Sequence, residues 1–270
     1  MTTALEANTS SQSGLPAFDS GGLLNKVPAV TALFWLIKVM STTVGETGAD
    51  YLAVHVGLGT AITGGIMVAL LAAALLMQFR SRHYVPWIYW LTVVLVSVVG
   101  TQITDFLTDR LEISLYISTA VFAVMLAAIF AVWYWTERTL SIQTIVTRRR
   151  ELFYWAAILF TFALGTAAGD LATEALGLGF KLGLVVFGIL IAMIFAAYYL
   201  GANPVLTFWL AYILTRPLGA SLGDLLSQAR GYGGLGLGTT LTSIVFLVVI
   251  VALVTFLTFG RDADGHNQRA

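Results

Sequence analysis

Cysteine is absent from this chain, which removes disulfides, thiolate metal sites and cysteine nucleophiles together. Charge is scarce as well. Only 10% of the 270 residues are Asp, Glu, Lys or Arg and the formal net charge is zero, so no basic excess points to nucleic acid. Histidine occurs three times. His55 alone is near acidic residues, and one imidazole without thiolates makes no soft-metal site; His83 and His266 belong to a loop and a tail. No Ser/His/Asp set can be assembled with any spacing logic, and no ATP-binding motif is present. The glycines at 231–238 lack the strand and helix start of a phosphate-binding loop. These absences argue against an enzyme, and no covalent cofactor is expected.

What fills the chain instead is apolar sequence: 58% hydrophobic residues and a mean hydropathy of +0.87, the composition of a polytopic membrane protein. A helix needs about 20 mostly apolar residues to cross the hydrocarbon core. Eight segments meet that length: 28–49, 58–79, 86–108, 114–135, 151–173, 181–200, 204–227 and 239–259. Pro28, Pro86 and Pro204 stand at the starts of the first, third and seventh, where a missing N–H costs nothing. Residues 1–26 are polar and Ser/Gly/Thr-rich without a basic n-region, and read as a disordered tail.

Within these segments a signature recurs four times, with a Gly five positions before an Asp: Gly45/Asp50, Gly100/Asp105, Gly165/Asp170 and Gly219/Asp224. Acids one helical turn apart share a face. Such pairs are Glu46/Asp50, Asp105/Asp109 and Asp170/Glu174, while Asp224 is followed by Gln228. A charge at the centre of a membrane helix costs about 2.5–3.5 kcal/mol on insertion scales, so seven of them mark a functional site. A Gly-Leu-Gly follows the signature at 57–59, 177–179 and 236–238, with Glu112-Ile113-Ser114 in the second copy.

The placement of Lys and Arg orients the chain. With the N-terminus inside, Lys26, Arg80, Arg82, Arg138, Arg148, Arg149, Arg150, Arg261 and Arg269 are cytoplasmic, and Arg110, Lys181 and Arg230 lie outside. Trp87, Trp90, Trp133, Trp135, Trp155 and Trp209 then fall near the inner ends, as an interfacial aromatic belt would. The fold class expected is all-α: eight transmembrane helices as four parallel two-helix repeats, each an out-and-back pair, in two pseudo-symmetric halves. The halves are 27–135 and 151–260, joined by a cytoplasmic linker 136–150 and followed by a cytoplasmic tail 261–270.

Lys38 and Arg216 are the bases inside spans, against seven acids. Full ionisation leaves a deficit of about five charges, which an apolar medium tolerates only with cations, protons or water. Lys38, Thr42, Glu46 and Asp50 form one stripe at intervals of four, as do Arg216, Ala220, Asp224 and Gln228. Pro217, with Gly219 and Gly223 beyond it, predicts a kink or interruption in the seventh span. The other glycines, Gly45, Gly48, Gly100, Gly165 and Gly169, serve close helix packing.

The stretches Thr42-Thr43-Val44-Gly45-Glu46 and Arg216-Pro217-Leu218-Gly219-Ala220-Ser221-Leu222-Gly223-Asp224 resemble a family of bacterial and archaeal membrane-anchored proteins built of four copies of a repeat of unknown function. The resemblance covers residues 27–260. It implies eight helices and a multi-pass location in a bacterial or archaeal inner membrane.

Carboxylate, hydroxyl and carbonyl oxygens suit hard divalent cations. The function expected is secondary-active transport of such a cation, Mn²⁺ first, by export in exchange for protons. Glu46, Asp50, Asp105, Asp170 and Asp224 are the expected ligands, with Thr43, Thr47, Thr101, Thr104 and Thr166 as auxiliary oxygens. Asp109 and Glu174 relay protons, and Lys38 and Arg216 are internal counter-cations. The partners expected are the lipid bilayer, the divalent cation and protons, with no nucleic acid; a homo-oligomer is compatible with the sequence. The rival reading is a non-transporting membrane scaffold or regulator whose intramembrane charges close structural salt bridges. Both termini are expected on the cytoplasmic side. A reporter fused after Ala270 should be active only there, and activity confined to the outer side would overturn the topology.

Overall fold

The computed structural model describes residues 25–54 and 60–267; His55 and the glycines at 57 and 59 lie outside them, as do residues 1–24. Among the described residues the regular structure is helical. Eight long helices follow one another: α1 Ala32–Val54, α2 Thr60–Arg80, α3 Pro86–Asp105, α4 Leu115–Glu137, α5 Arg148–Asp170, α6 Gly179–Tyr199, α7 Pro204–Ser227 and α8 Thr239–Asn267. Seven are long and apolar enough to cross a membrane. The exception is α1, 23 residues long and carrying Lys38, Glu46 and Asp50. It begins and ends later than the expected span 28–49, and Pro28 precedes it instead of opening it, whereas Pro86 and Pro204 do open α3 and α7.

The odd-numbered helices form the interior. Helix α1 packs on α3, α3 on α5, α5 on α7 and α7 back on α1, which closes a ring. The even-numbered helices lie outside it, largely exposed. They do not pair mainly with the helix that precedes them, as an out-and-back repeat would. Instead α2 lies on α3, α4 on α5, α6 on α7 and α8 on α1. Each repeat thus covers the inner helix of the next.

Lipid is as apolar as a leucine side chain, so helices in a membrane associate through close packing at small residues more than through apolar burial. The signature glycines supply that packing at four matched places. A Cβ built on Gly45 would lie 2.5 Å from Ser97 Cβ, on Gly100 2.8 Å from Phe162 Cβ, on Gly165 2.5 Å from Arg216 Cβ and on Gly219 2.6 Å from Thr42 Cβ. In every case the contacted residue stands three positions before the next signature glycine. The glycines are where the ring helices touch.

A second fourfold set lies nearer the starts of the odd helices. The dipeptides Phe34-Trp35, Tyr89-Trp90, Tyr154-Trp155 and Phe208-Trp209 interlock around the ring. Ring centroids are 5.5 Å apart for Phe34 and Trp90, 5.6 Å for Tyr89 and Trp155, 6.2 Å for Tyr154 and Trp209, and 5.7 Å for Phe208 and Trp35. Such contacts add about 0.5–1.5 kcal/mol each beyond area burial. This collar corrects the expected interfacial belt: Trp90, Trp133, Trp155 and Trp209 are buried, and only Trp87 and Trp135 of the six are exposed.

Under the collar the linker is ordered. Trp209 Nε1 donates to Leu140 O, and Arg149 and Arg150 both pair with Glu137. Lys26 is buried beside Glu151, with Nζ 2.6 Å from Oε2, and Gln78 donates to the same carboxylate. Helix α7 runs through Pro217 without the interruption that was one of the two expected outcomes, and Pro217 is buried against Gly165 and Gly169 of α5.

At the far ends of α3 and α5 the helix loosens into π turns, Phe106–Arg110 and Leu171–Ala175, directly after Asp105 and Asp170. Beyond them Gly177 has φ +73° and the matching Glu112 has φ 52°. That left-handed conformation explains the recurrent glycine there.

Gly100→Ala should cost about 1–3 kcal/mol by overpacking against Phe162. Gly64→Ala on α2, where a Cβ meets nothing within 4 Å, should be neutral or stabilising. Thermal unfolding of the two purified variants in one detergent checks the contrast, and equal destabilisation would refute the ring contact.

Candidate functional site

Beyond the glycine layer the ring opens into a cavity of about 950 Å³. All seven signature acids line it: Glu46, Asp50, Asp105, Asp109, Asp170, Glu174 and Asp224. Every repeat contributes. The π turns bring Asp109 and Glu174 to exposed positions, whereas Glu46 and Asp224 are buried deeper. π turns of this kind concentrate at functional sites.

The two intramembrane bases behave differently. Arg216 of α7 is fully buried and reaches across the ring: Nη2 donates to Glu46 Oε2 at 2.6 Å and to Thr101 Oγ1 of α3, and Nη1 donates to Thr42 O at 3.2 Å. Lys38 of α1 has no carboxylate. Its Nζ lies 4.1 Å from the ring centroid of Phe162 on α5 and 4.1 Å from that of Tyr212 on α7. Arg216–Glu46 thus joins an intramembrane base to a signature acid.

The hydroxyls expected as auxiliary ligands turn elsewhere. Thr43, Thr47, Thr101, Thr104 and Thr166 are fully buried, outside the cavity wall, and each donates to a helix carbonyl. Thr104 also reaches Ala163 O on α5, and Thr47 bonds Ser243 Oγ on α8, so they stitch helices. The neutral oxygens on the wall belong to Thr63, Thr108, Gln102 and Gln228. Gln102 and Gln228 stand within or just beyond the signatures, and that adjacency was the available signal. Among the described residues no three acidic or imidazole groups converge as a metal cage.

The fourfold sequence signature and the fourfold contact set coincide. The family model described as Repeat of Unknown Function (DUF347) matches at residues 33–84, 88–139, 153–202 and 207–262. The chain belongs to this family. Each match begins within an odd helix of the ring and ends beyond the even helix that follows or inside it. The family description assigns no activity, so its members are defined by the repeat. No curated protein and no solved structure matches the chain.

The Arg216–Glu46 pair is unequal in its surroundings, because the Glu46 side chain is 9% exposed on the cavity and Arg216 is sealed at 0%. Removing one partner of a buried pair costs about 3–5 kcal/mol when the other is left uncompensated. Glu46→Gln, which strands the sealed guanidinium, should therefore cost more than Arg216→Gln, which leaves a carboxylate that cavity water can reach. The double variant should recover much of the Glu46→Gln loss. A double-mutant cycle by thermal denaturation measures this, and additive losses would show that the pair is not coupled.

Proposed function

We propose that the protein is a secondary-active transporter that exports a hard divalent cation, Mn²⁺ first, in exchange for protons. The observation that supports this reading is the convergence of seven carboxylates from four repeats on one cavity. Ionisable groups inside spans face water-filled pathways and mark ion routes. A scaffold that used these acids only as structural pairs would match each to a base and leave no cavity.

Glu46, Asp50, Asp105, Asp170 and Asp224 are assigned as ligands, with Asp109 and Glu174 at the mouth exchanging protons with solvent. A cation of the Mn²⁺ and Mg²⁺ class keeps waters in its shell, so wide carboxylate spacing suits a hydrated ion. As it binds Glu46 it displaces Arg216, the counter-cation. The four repeats are read as copies rotated about one axis along the membrane normal, in a state open at the carboxylates and shut at the aromatic collar. From the Lys and Arg placement the collar faces the cytoplasm.

Asp170→Asn tests the reading, since Asp170 is a ligand without a base of its own in its repeat. Mn²⁺ uptake by liposomes holding the variant should fall tenfold or more below wild type, with the melting temperature kept within a few degrees. Absence of wild-type uptake combined with a destabilised Asp170→Asn would favour the scaffold and overturn transport.

A further inference from the structure

Between the carboxylate cavity and the aromatic collar, Lys38 occupies a place of its own. Its side chain is fully exposed to neighbours and not to solvent, at 0% accessibility, and among the described residues Nζ has no hydrogen-bond partner. A buried amine ordinarily finds a carboxylate or carbonyl, because an unpaired polar group costs free energy out of water. Here its neighbours are two rings, Phe162 and Tyr212, at equal distances of 4.1 Å. The negative faces of aromatic rings attract a cation electrostatically, and more strongly once water is removed.

The surrounding groups do not supply an alternative partner. Arg216, the other base inside a span, is committed through its two Nη atoms to Thr42, Glu46 and Thr101. No acid lies within ion-pair distance of Lys38 among the described residues. The slot draws its walls from α5 and α7 and its occupant from α1, so it spans the ring instead of following from local helix geometry. An apolar side chain would satisfy packing there without the cost of burying an amine.

We propose that the rings of Phe162 and Tyr212, set at 84° to each other with centroids 6.4 Å apart, form a binding site for an ammonium group, filled by the chain's own Lys38. The ligand class is a primary alkylammonium of the length of a lysine tail. Its position below the carboxylates makes Lys38 a resident cation on the axis, a role that rests on the transport reading; the binding of an amine does not.

Lys38→Ala removes the equivalent of n-propylamine and leaves the rings. Purified Lys38→Ala should gain about 2–4 °C in melting temperature, saturably, in n-propylammonium chloride relative to equal KCl. Wild type and Lys38→Met, whose slots are filled, should not respond. Lys38→Ala/Phe162→Leu should lose the response, and 1-propanol should not replace the amine. If Lys38→Ala unfolds without amine, solubilisation in n-propylammonium chloride should recover folded protein. Failure to recover it, no shift in a folded variant, or an equal shift with 1-propanol overturns the site. Mn²⁺ uptake by wild-type liposomes, measured separately, shows whether the transport reading stands or falls on its own.

Discussion

Four glycines pressed against the Cβ atoms of neighbouring helices set the width of the ring, and the polar chemistry depends on that width. With any larger residue at Gly45, Gly100, Gly165 or Gly219, the odd helices would separate. Arg216 could not then span from α7 to Thr101 on α3, nor Lys38 from α1 to Phe162 on α5. A hydrogen bond or π contact in a medium of low dielectric is strong, but it decays quickly with misfit. Helix contact and axial charge are therefore one constraint.

The offset packing of the even helices follows the same logic. Each covers the inner helix of the next repeat, so no repeat is closed alone and the chain ties the ring together from outside. The last, α8, returns to α1 and seals the seam between the ends of the chain. Thr47 and Ser243 bond across that seam beside Glu46, which gives α1, with Lys38, Glu46 and Asp50 along it, a protein neighbour where lipid would be costly.

Much of this was legible beforehand. Apolar length located the eight helices, and the Gly-to-Asp spacing together with the one-turn acid pairs located the seven acids on the cavity. What stayed hidden depended on partners across the ring. Thr43 and Thr166 look like oxygen ligands in sequence, but a threonine inside a helix can return its hydroxyl to the carbonyl four residues back, and these do. The six tryptophans sit at helix ends, which suits a lipid interface equally well, and four of them turn inward, three on odd helices and Trp133 on α4. A Phe or Tyr followed by Trp, always eleven and ten residues before the signature glycine, was the overlooked mark of the collar. Pro217 predicts a kink or interruption from backbone chemistry alone, whereas the helix continues through it with the proline ring packed against Gly165 and Gly169.

The ring's repeated positions also explain why the axis is not uniform. Three residues before each signature glycine stand Thr42, Ser97, Phe162 and Arg216, and only the last is long and charged. Four identical arginines pointing inward would repel one another at close range in a low dielectric. One arginine beside two small hydroxyl residues and one aromatic can instead cross the ring, reach Glu46 and leave Phe162 free to face Lys38. Departure from exact repetition at this layer thus separates the axis into an oxygen-lined chamber and an aromatic slot. Under the proposed transport, a cation drawn in by the carboxylates would meet Arg216 first, then Lys38 behind it. Under that proposal, passage past this layer would require Arg216 to give up Glu46, so the paired base would act as the barrier and the carboxylates as the attraction.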